Sequence, residues 1–144
     1  MKHQTLDQLH AVADVNTQPV MSRTQRLVRW AELLEREPSR LLTALAGTEY
    51  RALPERDVMR GDGSPIAVAF TDPILRDEGL KDDTYGEAKR FFELTDHQLH
   101  EIVCYCHVGH SMTAARAAQC VRDAIDGPVF LRLVKTVLGW CRSI

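Results

Sequence analysis

The sequence predicts an all-α fold, a compact single-domain bundle of seven or eight helices with an irregular loop near residues 60–65. Three observations predict it. N-capping residues recur in front of apolar residues at helical spacing, proline repeatedly occupies a first helical position, and the alternating runs of half-buried strands hardly occur. At 144 residues the chain suits one domain, residues 1–144, with a substantial core.

The elements follow in order. Thr5 caps a first helix to about Val15, which Asn16-Thr17-Gln18-Pro19 breaks. Ser22 and Gln25 have the spacing of a capping box and open a helix to about Glu37, with Leu27, Trp30, Ala31 and Leu34 as its buried stripe. Pro38 begins a short helix over Ser39 to Ala46, which Gly47 ends. Arg60-Gly61-Asp62-Gly63-Ser64-Pro65 is turn-rich and reads as a linker between two helical groups, the least structured stretch of the chain.

Ser64-Pro65 and Asp72-Pro73 each join an N-cap to a first-turn proline, predicting helices over 65–70 and 73–78. The apolar run Ile66 to Phe70 also suits a buried strand, but no strand partner is evident. Thr84 with Glu87 and Thr95 with Gln98 predict helices over 84–92 and 96–107. Val108-Gly109-His110 makes a tight connection to a helix over 112–126 that buries Ala114, Ala117, Ala118, Val121 and Ile125. After Gly127-Pro128 comes a last helix, apolar through Phe130, Leu133, Val134, Val137, Leu138 and Cys141, and basic on its other side.

Net charge is −2, with nine basic and ten acidic side chains in each half, so no segment offers the excess positive charge of non-specific nucleic-acid binding. The opening residues lack the apolar core of a secretory signal, and Val129 to Cys141 is too short to span a bilayer. The expectation is a cytoplasmic protein with reduced thiols at Cys104, Cys106, Cys120 and Cys141. Gly61-Asp62-Gly63-Ser64 lacks the lysine of a phosphate loop, and Asp77, Glu78, Asp82 and Asp83 do not have calcium-loop spacing.

Chemistry concentrates in one place. Four of six histidines and two of four cysteines fall between His97 and His110. On a helix, His97, His100, Glu101, Cys104 and His107 share one side, opposite Leu99, Ile102, Val103 and Cys106. Imidazole and thiolate suit a transition metal such as zinc, so His97, His100, Cys104 and His107 are the candidate ligands. Ten residues of helix rise about 15 Å, so one ion would take two or three of them and a further donor.

The reading of function that follows is a non-enzymatic binding or regulatory module that captures a transition metal on this face. Its partner is another protein, or a second copy in a homodimer formed through the C-terminal helix. One alternative is a DNA-binding helix-turn-helix over 96–126, with Arg116, Gln119 and Arg122 exposed on its second helix. Another is a thiol-dependent enzyme using Cys104, activated by His100 and His107. Arg23, Arg26, Arg29, Arg36 and Arg40, interleaved with Glu32, Glu35 and Glu37, read as salt-bridge lacing on an exposed helix.

Overall fold

The computed structural model describes residues 20–45, 47–104 and 111–127. The described part is mostly helical, as the sequence predicts. Its α-helices are α1 (Arg23–Glu35), α2 (Leu53–Asp57), α3 (Pro65–Thr71), α4 (Pro73–Asp77), α5 (Tyr85–Phe91), α6 (Asp96–Val103) and α7 (Ala114–Ile125), joined by a 3₁₀ turn at Thr48–Tyr50. Two short strands, β1 (Leu41–Thr43) and β2 (Ser111–Thr113), complete it. The predicted helices over 5–15 and 130–141 and the connection at 108–110 lie outside the described residues.

Local capping accounts for most helix starts. Ser22 and Gln25 form the full reciprocal box at α1, and Thr95 and Gln98 do so at α6. Ser64 and Asp72 accept backbone N–H groups of α3 and α4, with proline in the first turn of each. At α5 only half of the box forms. Thr84 accepts from the Glu87 N–H, whereas the Glu87 carboxylate turns to the Lys81 N–H and to Arg90.

Helix α1 is the centre of the core and packs most extensively on α7. Leu27, Trp30, Ala31 and Leu34 are its buried residues, the predicted stripe. Alanines 114, 117, 118 and 124 are buried on α7, and side chains this small bring two helix axes close. Trp30 stacks on Phe92 with ring centroids 4.3 Å apart, and its indole N–H donates to the Pro65 carbonyl at 2.9 Å. The aromatic bulk is thereby buried without an orphaned donor.

Two predicted helices are corrected. The stretch predicted to be helical over Ser39 to Ala46 contains β1, which pairs antiparallel with β2 in the register Leu41 to Thr113, Leu42 to Met112 and Thr43 to Ser111. The predicted helix over 112–126 therefore starts later, at Ala114, with Thr113 as its N-cap. Leu42 is buried while Leu41 and Thr43 face out, and this alternation makes core contact only once a partner some seventy residues away is in place.

Residues 60–65 form the predicted irregular loop, but not a loose linker. The Gly61 N–H donates to the Asp83 carbonyl at 2.9 Å, the Gly63 carbonyl accepts from Thr43 at 2.8 Å, and Ser64 is buried. Gly63 has φ +70°, a conformation that favours glycine.

The arginines of α1 do more than lace its surface. Arg23 donates to the carbonyls of Glu93 and Ala124, each at 3.1 Å, and Arg26 to that of Phe91 at 2.8 Å. Arg29 pairs with the Asp72 carboxylate through both Nε and Nη2. A row at three-residue spacing thus reaches carbonyls in the last turn of α7 and at and just beyond the end of α5, where helix carbonyls lack intrahelical partners, and the capping carboxylate of α4.

Candidate functional site

Helix α6 hides Leu99, Ile102 and Val103, as its spacing predicts. The described residues of the histidine and cysteine side differ in exposure. The His97 side chain is 83% exposed, with Nε2 at 3.5 Å from the Glu101 carboxylate, and His100 is partly exposed. Cys104 is fully buried. His107 and His110 lie outside the described residues.

The reason is the end of the helix. Cys104 is the residue after the last helical one, and the chain before the 3₁₀ turn crosses there, with the Leu45 N–H donating to the Val103 carbonyl at 2.7 Å. The turn delivers Thr48, itself fully buried, whose Oγ1 lies 2.8 Å from Cys104 Sγ. The expectation that imidazoles and a thiol point outward together is therefore corrected for Cys104: tertiary packing seals it. Among the described residues no three histidine, cysteine, aspartate or glutamate side chains are placed to share a metal ion.

Behind Cys104 lies a polar network. The Tyr85 hydroxyl lies 3.3 Å from both the Asp96 carbonyl and its Oδ1, while Lys89 Nζ reaches Asp96 Oδ2 at 2.9 Å. Burial above all, then the charges of Asp96 and Cys104, pushes the Tyr85 hydroxyl up to about 12. Lys89 first of all holds the Asp96 carboxyl below its usual range. Tyr85 is sealed from solvent while Lys89 and Asp96 stay partly exposed, and together the three tie α5 to α6.

Of the helix-turn-helix outline, helices form over Asp96–Val103 and Ala114–Ile125 with β2 directly before the second, and the connection over 105–110 lies outside the described residues. Of the three side chains meant to read bases, Arg122 is held by both oxygens of Glu35 at 2.7 and 2.8 Å, and Gln119 donates to Asp123 at 3.0 Å. Arg116 is exposed.

A different feature was not legible in the sequence. The end of α1, α3 and the start of α7 enclose an open cleft of about 200 Å³. Leu33, Leu34, Val68 and Ala114 supply its apolar lining, and Arg36, Glu37 and Arg40 its charged lining, with Thr71 beside them. The turn after α1 is pinned over α7, because the Ala114 and Ala115 N–H groups donate to the carbonyls of Arg40 and Pro38 at 2.8 and 2.9 Å. The sequence alone reads Arg36 and Arg40 as surface lacing. Arg40 meets Glu37 only at 3.8 Å, and Arg36 forms no hydrogen bond or ion pair with a described residue, its charge acting at longer range on Asp72.

The fold and this cleft define a mostly helical protein with a recess lined by apolar and charged side chains together. No protein-family model, curated protein or solved structure matches the chain.

Proposed function

We propose that the protein is a non-enzymatic binding module and that the cleft between α1, α3 and the start of α7 receives its ligand. The observation that carries this reading is the juxtaposition there of apolar side chains with two guanidinium groups that no close ion pair with a described residue consumes. Binding sites combine apolar lining with polar groups that orient the guest. The burial of Cys104 and Tyr85 supports it, since neither has exposed surface through which to meet a substrate.

The test is a screen of small apolar fragments followed in the methyl region of the NMR spectrum. Shifts centred on Leu33, Leu34, Val68 and Ala114 are expected. Shifts that map to the α6 methyls of Leu99, Ile102 and Val103 instead, or a screen with no hits at the cleft, overturn the assignment.

A further inference from the structure

We infer, resting on the binding reading above, that the cleft selects an aliphatic monocarboxylate, its tail on Leu33, Leu34 and Val68 and its carboxylate at Arg36 and Arg40. Three features of the cleft lead to this class of ligand.

The first is charge. Two arginines and one glutamate line the cleft, which leaves one net positive charge and matches a singly charged head. A dianion would meet Glu37 with its second charge uncompensated. Guanidinium is also the planar fork that holds a carboxylate through two parallel hydrogen bonds.

The second is availability. Arg36 is exposed and makes no hydrogen bond or ion pair with a described residue, and Arg40 is 3.8 Å from a Glu37 that is itself 71% exposed. An exposed pair at that distance contributes little and is readily exchanged for a ligand carboxylate. By contrast Arg23, Arg26, Arg29 and Arg122 are committed to carbonyls or carboxylates of the fold.

The third is size. About 200 Å³ lies below the usual range of pockets for larger small molecules, so the guest is a short chain or a single side chain. A short free fatty acid and the apolar C-terminal residue of a peptide share this chemistry: an aliphatic body next to one carboxylate.

The experiment titrates the full-length protein with hexanoate, hexanol, hexylamine and a pair of leucine-ending peptides, one with a free terminal carboxylate and one amidated. Methyl NMR reports the site. Hexanoate is expected to shift the cleft methyls, hexylamine to leave them unmoved, and Arg36→Gln to weaken hexanoate about tenfold. Arg36 is on the surface, so this variant tests the ligand without testing the core, and Val68→Trp fills the cleft as a second check.

If the free-acid peptide outbinds hexanoate and its amide does not bind, a chain terminus is the source. If only hexanoate binds, it is a free acid, and both results support the carboxylate assignment. Hexanol binding as tightly as hexanoate, with Arg36→Gln silent, overturns that assignment and leaves the binding cleft standing. Binding of none of these probes overturns the assignment as well, and only an empty fragment screen removes the cleft reading with it.

Discussion

Arg29 closes on Asp72 through two nitrogens, at 3.1 and 2.9 Å, while the same Asp72 carboxylate caps α4 by accepting the Leu75 N–H at 3.2 Å. One buried side chain therefore terminates a helix and links it to the central one. Its hydrogen bond with Arg29, more than any other interaction, holds the carboxyl below the usual range.

That linkage has a pH signature. A carboxyl depressed in the folded state contributes stability that is present above its unfolded value, near pH 4, and is lost as pH falls through the lower folded value. Asp72→Ala removes cap and pair together and leaves Arg29 unpaired, for an expected loss of about 3 kcal/mol. Asp72→Asn keeps a capping oxygen, costs about half as much, and flattens the acid limb. Urea midpoints measured from pH 7 down to pH 3 check both; an unaltered acid limb in Asp72→Asn refutes the linkage.

Gly86 sits within α5, where helix propensity alone favours alanine by about 1 kcal/mol. Packing reverses the sign. A Cβ there would lie 2.8 Å from Asp57 Cβ and 2.9 Å from the Asp57 carbonyl oxygen, so α2 would have to move. Gly86→Ala is expected to destabilise the protein by about 1–3 kcal/mol, as overpacking does. A higher urea midpoint in this variant would show that the two helices do not approach this closely.

Cys104 is expected to behave as a core residue. In the native protein its alkylation should be about a hundredfold or more slower than in urea, because the thiol reacts only when the structure opens. Peptide mapping by mass spectrometry after timed alkylation separates it from the other thiols. Thr48→Val removes the hydroxyl next to Sγ with little change in shape and should cost about 1 kcal/mol. Rapid native labelling of Cys104 near neutral pH would contradict this and favour the thiol-enzyme alternative.

The Glu35–Arg122 pair crosses between α1 and α7 with good two-point geometry, but both side chains are about two-fifths exposed. A double-mutant cycle with Glu35→Gln and Arg122→Gln should return a coupling of about 0.2–1 kcal/mol that shrinks with added salt. A coupling near zero at low salt would mean that the two helices are held by their apolar faces alone.

The sequence by itself determined the helical class and most helix starts, because a capping hydroxyl or carboxylate acts on backbone only two or three residues away. Ser22, Ser64, Asp72, Thr84, Thr95 and the stripe Leu27, Trp30, Ala31 and Leu34 needed no distant partner to be read. Tertiary structure alone decided the rest. Leu41–Thr43 became a strand only by meeting residues 111–113, Cys104 went inward because Thr48 arrives at the end of α6, and the arginines of α1 were sorted by which helix ends came within reach. The cleft belongs to this second group, since residues 33–40, 68 and 114 share no local pattern and become neighbours only when three helices pack.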